Sequence, residues 1–222
     1  MKFQYQEMSA ASVDGMRLYA TPDKNYYPSI TTILGKTQPP EKVAALEGWI
    51  NAIGHEEAQR QTEAAATNGT GVHLLIERYL KKEELIQGDE FSERMLQGFN
   101  SLKLKLNKIT EVWGQEVPLF SNLLRVAGRC DCIGVYKGKP CIIDFKTSKR
   151  LKNKDEIDDY YLQLTAYSIM HNEMFGTDIV DGVILMTSGE GFPQEFCVNL
   201  LEYVDPLVKR VDQFYKQLEA TL

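Results

Sequence analysis

The chain has 222 residues, 43% of them hydrophobic and 10% aromatic, enough to bury a sizeable core. With 31 acidic against 25 basic residues the formal net charge is −6, which excludes a partner held by bulk positive charge, so any polyanion would have to meet a local basic patch. No uninterrupted apolar run can span a bilayer, so no membrane partner is expected, and no Pro/Ser-rich linker, low-complexity tract or internal repeat divides the chain.

The first residues, Met1-Lys-Phe-Gln-Tyr-Gln, lack the apolar stretch of a signal peptide and the arginines of a transit peptide, which predicts a cytoplasmic protein. Residues 1–66 read as an N-terminal extension packed on a core at 67–222 and shaping access to it. The extension holds Tyr5, Tyr19, Tyr26, Tyr27 and Trp49. Core packing explains these more simply than stacking on unpaired bases, which would contribute ~1–3 kcal/mol each. Residues 39–80 and 90–106 are mostly helical in pattern, with a break expected at the Thr-Asn-Gly-Thr-Gly run of 67–71. Three consecutive antiparallel strands follow at 111–120, 123–136 and 140–147, the last two joined at Lys137-Gly138-Lys139. A helix over 155–175 stops at Gly176, strands occupy 181–187 and 195–200, and an amphipathic helix covers 204–218. This is an α/β (α+β) order, β-β-β-α-β-β-α: a central mixed β-sheet flanked by helices, with a helical N-terminal region. The helical crossover makes the fourth strand parallel to its neighbour.

The chemistry concentrates in the second and third of these strands. Asp131 and Asp144 are separated by a segment that folds back on itself, so both carboxylates share one small volume. They repel unless a cation lies between them, and an all-oxygen pair with room for water suits Mg2+ or Mn2+ better than zinc. Lys146 lies two residues beyond Asp144 and points to the same face. Two carboxylates holding a divalent ion beside an ammonium are the requirements of phosphodiester hydrolysis: an acidified water, a screened phosphate and a stabilised leaving oxygen. The bland alternative, a surface ion pair contributing ~0.2–1 kcal/mol, fits poorly with an aspartate placed directly after Cys141-Ile-Ile in a strand suited to burial.

Other candidates are weaker singly. Gln115 and Glu116 alternate on a strand, so only one should face the site. His73 lies one turn inside the helix expected to begin at Asn68, where a lone histidine is more often structural than a ligand, and His55 and His171 read as surface or helix-face residues. Gln163 and Tyr167, four apart, share a helix face; packing explains the tyrosine as well as function does. Cys130, Cys132, Cys141 and Cys197 read as buried free thiols, with Cys130 and Cys132 facing away from the acidic site. Lys149, Arg150, Lys152 and Lys154 form a basic run at the mouth of the site, where a phosphate backbone would pass, whereas Lys103, Lys105 and Lys108 read as a solvated face.

Taken in order, Gly69-x-x-x-His73, Glu116, Gly128-x-x-Asp131, Asp144-x-Lys146-Thr147 and Gln163-x-x-x-Tyr167 resemble the motif series of the PD-(D/E)XK nuclease superfamily, in particular its RecB-like exonuclease branch, which has mitochondrial and phage members. The set spans roughly residues 67–170. The resemblance implies a restriction-endonuclease-like core and an Mg2+- or Mn2+-dependent DNA exonuclease acting on single strands or DNA ends, in a bacterial or phage-infected cell, with unspecified partners in replication, repair or recombination. It selects Glu116 over Gln115 and implies a cation held by Asp131, Asp144, the Phe145 carbonyl, His73 and Glu116. Lys146 then activates the attacking water and Gln163 supports the site. It also implies DNA contacts at Lys149, Arg150, Lys152 and Tyr167, and at Ser29 and Thr31 in a segment resembling one ahead of the core in relatives. The one-early, three-late cysteine layout of iron–sulfur members is absent, so neither that cluster nor zinc is expected. An endonuclease of the same fold and a non-catalytic nucleic-acid-binding module remain alternatives; cutting of closed circles and binding without turnover, respectively, distinguish them.

Overall fold

The structure is a computed structural model that describes residues 2–84, 91–189 and 191–220. Its first element was not legible in the sequence. Strands β1 (Ala10–Val13), β2 (Met16–Ala20) and β3 (Tyr26–Pro28) form a small antiparallel sheet turned at Asp14-Gly15, where both residues have positive φ. The strands are three to five residues long and half of their residues are exposed, so they show little apolar alternation. Ser29 then bridges to Ala127 of the large sheet and caps helix α1 (Ile30–Lys36), its hydroxyl accepting from the Thr32 amide at 3.0 Å.

Helix α2 (Pro40–Ile53) begins with proline at its first turn and ends at Gly54, whose φ of 87° suits glycine. Helix α3 (His55–Leu80) runs without interruption through 67–71, correcting the expected break. Its glycines serve contact rather than termination. A Cβ on Gly71 would lie 2.4 Å from the Met95 sulfur, so bare backbone lets α3 approach its neighbour there, whereas one on Gly69 would make only an ordinary 3.5 Å contact with the Thr147 hydroxyl. The 66/67 boundary therefore falls inside a helix, and His73 stands in its last third rather than near its start. Helix α4 (Glu93–Leu106) is capped by Ser92; Glu90, the start read from the sequence, lies outside the described residues.

The core is a mixed five-stranded sheet, as expected from the sequence, of β4 (Ile109–Ser121), β5 (Val126–Tyr136), β6 (Lys139–Ser148), β7 (Asp181–Ser188) and β8 (Pro193–Asn199) in that spatial order. Only β6 and β7 are parallel, joined by helix α5 (Asp158–Phe175), which ends at left-handed Gly176; helix α6 (Val204–Glu219) closes the chain. One apolar cluster lies between the sheet and α1, α5 and α6, another between the sheet and α3 and α4. Cys130 packs in the first and Cys132 in the second, so the two thiols do not share a face. Cys197, read as buried, is exposed. His171, read as a surface or helix-face residue, lies on α5 and is fully buried: its Nδ1 lies 2.8 Å from the Thr177 hydroxyl and its Nε2 3.1 Å from that of Tyr5. No helix among the described residues is long and apolar enough to cross a membrane.

One topological detail positions the site. The β5–β6 ladder runs from the two-residue turn at Lys137-Gly138 only as far as Cys132 opposite Ile143. Beyond it, β5 pairs with β4 and β6 with β7, so the strands part in a fork.

Candidate active site

The fork gathers the acidic residues. Asp131 lies one residue past the last β5–β6 pair and closes the seam with its side chain, Oδ2 accepting from the Phe145 amide at 2.9 Å. The next residue of β6 after that pair is Asp144, only 1% exposed. Its Oδ1 has no hydrogen-bond donor among the described residues, and its Oδ2 has only the Lys146 ammonium, at 2.5 Å. Burial raises the Asp144 carboxyl pKa to about 6, the Lys146 charge opposing this and Asp131 adding to it. Burial lowers Lys146, but the Asp144 and Asp131 charges outweigh it and hold the ammonium above its ordinary range. The Tyr160 ring, 5.0 Å from Lys146 Nζ, covers it from α5.

Helix α3 supplies the opposite wall. His73 Nε2 lies 2.8 Å from the Phe145 carbonyl oxygen; a carbonyl only accepts, so Nε2 carries the proton and the lone pair of the neutral ring is on Nδ1. That nitrogen is 3.7 Å from Asp131 Oδ2. One ligand atom each from His73, Glu116 and Asp131 lie within 4.8 Å of one another. Burial and then the Asp131 charge raise the Glu116 carboxyl pKa, the signature of carboxylates crowded without enough positive charge between them. Gln115 also reaches this side, its amide donating to the Glu77 carbonyl at 3.3 Å. Strict alternation fails here because Glu116 has a φ of 49°, a left-handed turn within the strand.

The donor set fits a small divalent cation: an imidazole nitrogen beside two crowded carboxylates, next to a buried aspartate oxygen that no group among the described residues satisfies. The three buried cysteines pack in the apolar layers instead.

Other sequence candidates fall outside this cluster. The Gln163 amide donates to the Tyr167 hydroxyl at 3.1 Å, and Tyr167 is 2% exposed against Gly128, whose Cβ would lie 2.8 Å from the ring. Tyr167 therefore packs the core instead of offering a surface to DNA, and Gly128 is the counterpart that makes room for it. Ser29 is likewise buried as the α1 cap, while Thr31 beside it is exposed. In the basic run, Arg150 forms a two-pronged ion pair with Glu156, and Lys152 lies 3.8 Å from the same carboxylate. Lys149 reaches over to α3, its ammonium 2.5 Å from Gln61 Oε1 and 5.9 Å from the Trp49 ring centre on α2. Lys105 and Lys108 converge with Lys137 on Glu195 instead of forming an open solvated face. Two neighbours of the site escaped the sequence reading: Tyr160, three residues before Gln163 and so on its helix face, and Arg129, two before Asp131 on its strand face.

A profile of the PD-(D/E)XK nuclease superfamily matches residues 36–187, more than half of the chain and all of the cluster just described. The chain belongs to the PD-(D/E)XK nuclease superfamily. Among curated relatives of this nuclease family, mitochondrial genome maintenance exonuclease 1 of Mus musculus is 31% identical over 180 residues, covering 77% of this chain and 52% of that protein. The Homo sapiens protein of the same name is 27% identical over 179 residues, with the same coverages. This nuclease chain thus spans about half the length of the curated relatives it matches. A crystal structure from Eubacterium rectale, described as that of a candidate exonuclease, aligns with a TM-score of 0.48 at 12% identity over 70% of this chain and 69% of that one.

Proposed function

We propose that this PD-(D/E)XK nuclease is an Mg2+- or Mn2+-dependent DNA exonuclease acting on single strands or DNA ends. The observation that carries the reading is the fork between β5 and β6, where a buried Asp144 oxygen lacking any donor lies beside Lys146 and close to the Asp131, His73 and Glu116 cluster. Asp131 and Asp144 would hold the cation, with His73 through Nδ1, Glu116 and the Phe145 carbonyl, which the His73 proton steadies, as further ligands. A bound divalent ion would supply the acidified water and the charge that screens the phosphate. Lys146, held by Asp144, presents its remaining protons to the attacking water or a phosphate oxygen. Gln163 acts at one remove, through Tyr167 and the β5 backbone at Gly128. Lys149, Arg150, Lys152 and exposed Thr31 line the approach of the DNA backbone. The mitochondrial relatives are named exonucleases, which favours attack from an end.

Digestion of end-labelled linear and closed circular DNA, each single and double stranded, with Mg2+, Mn2+ or EDTA tests the reading. Metal-dependent loss of linear strands with circles intact is expected. Nicked or linearised circles would replace it with an endonuclease, and binding without turnover would remove catalysis altogether.

A further inference from the structure

Glu116 is the one member of the three-residue cluster whose backbone is forced. Its φ of 49° lies in the left-handed region that residues with a Cβ avoid, here in mid-strand. The β4–β5 ladder keeps its register across Glu116, with Gln115 opposite Cys132 and Val117 opposite Cys130, although it shifts register earlier in β4, between Val112 and Gly114. Between these two pairs the left-handed turn falls on Glu116. It has a consequence for the site, because a regular strand would send Gln115 and Glu116 to opposite faces, whereas here both reach the α3 side.

A local distortion of this kind persists only where its surroundings over-determine it. The partner that does so is Arg129, whose Nη1 donates to the Glu116 carbonyl at 2.7 Å across the strand pair while Nη2 donates to Glu7 at 3.0 Å. Glu7 is 80% exposed, so its ion pair steadies the guanidinium without fixing anything in the site. The inner bond fixes the peptide that sets the direction of the Glu116 side chain. The planar guanidinium makes both bonds at once, which an ammonium cannot reproduce with the same geometry.

We infer that Arg129 is a positioning residue that holds Glu116 in its left-handed turn and thereby keeps the Glu116 carboxylate within reach of His73 and Asp131. The inference rests on the reading of that cluster as a cation site. It assigns Arg129 no contact with DNA or with the cation.

Mn2+ binding measured by isothermal titration calorimetry on the wild type, Arg129→Met, Glu116→Gln and the double variant tests it, with cleavage kinetics in parallel. Arg129→Met is expected to weaken Mn2+ binding about tenfold, the scale on which removal of an outer supporting group acts at metal sites. The double variant should bind no more weakly than Glu116→Gln, because the arginine acts through the glutamate. Cleavage by Arg129→Met should lose kcat with KM for DNA unchanged. Wild-type Mn2+ affinity in Arg129→Met, additive losses in the double variant, or a loss confined to KM would overturn the inference. If Arg129→Met does not fold, Arg129→Lys replaces it: an intermediate Mn2+ affinity supports the assignment and wild-type affinity overturns it. A wild type that binds no Mn2+ would overturn the cation reading itself, and with it the part given to Arg129, whatever the variants do.

Discussion

From the Lys137-Gly138 turn to the Cys132–Ile143 pair, β5 and β6 form a closed ladder whose side chains fill both apolar layers; from Asp131 and Asp144 onward the same two strands part, and polar groups occupy the gap. In the closed half every register position follows from alternation and a tight turn with positive φ at both central residues. In the open half a buried carboxylate oxygen lacks a donor, a glutamate takes a left-handed backbone, and an aspartate side chain replaces a ladder bond. Stability is stored in one half, and unmet bonding capacity is kept in the other for a ligand to use.

The sharpest way to break this contrast is to neutralise the open half. Asp144→Asn should reduce metal-dependent cleavage by roughly two to three orders of magnitude, on the scale of removing a preorganised electrostatic group. Its melting temperature should change little, because the amide oxygen can still accept from Lys146 while the repulsion between the Asp144 and Asp131 charges is removed. Cleavage at the wild-type rate would remove Asp144 from the site. The reciprocal experiment is in the closed half. Ile142→Ala, at a fully buried position, should cost about 2–5 kcal/mol in urea unfolding while activity per folded molecule stays near wild type. A small stability loss accompanied by a large activity loss would mean that the two halves are not separable.

A third measurement uses pH away from the site. The Thr177 hydroxyl donates to Asn172, so it accepts from His171 Nδ1, and Nε2 accepts from Tyr5; the neutral ring is satisfied on both sides. Burial lowers the His171 pKa to about 4 from an ordinary 6.5. Between these values the unfolded chain takes up a proton that the folded one refuses, so this contribution is fully present above pH 6.5 and falls as pH drops toward 4, on the order of 3 kcal/mol in all. His171→Phe should flatten that part of the stability profile, and an unchanged slope would place the acid sensitivity elsewhere. The smallest effect is expected from neutralising Lys149, Arg150 and Lys152 together, since Glu156 already answers two of these charges. DNA affinity should weaken, and on a single strand the logarithmic salt slope should fall by about 0.7 for each phosphate that the protein no longer neutralises. Unchanged affinity and slope would take the loop out of the DNA path.

The same division explains what the sequence conveyed. From β4 onward the strands and helices set by apolar periodicity were legible in order and to within a few residues, and the parallel β6–β7 pair followed from the helical crossover alone. Asp131, Asp144 and Lys146 were conspicuous because charges stand in strands that otherwise read as buried. What stayed hidden depends on tertiary contact. Gly71, a residue type that normally ends helices, sits inside α3 because Met95 packs against its bare backbone, and Gln115 and Glu116 share a side because Arg129 holds a distorted peptide. His171 is buried because an N-terminal tyrosine lies over it, a pairing between residues 166 positions apart that no local pattern signals.

The seam at Asp131 also constrains how this chain could change over generations. The carboxylate that faces His73 is the one that accepts from the Phe145 amide where the strands separate. A descendant that gave up catalysis could not simply delete it, because alanine there would strand a main-chain donor at the tip of the fork. Asparagine would keep the acceptor while discarding the charge, so a lapsed member of this lineage should be recognisable by Asn, not Ala, at position 131.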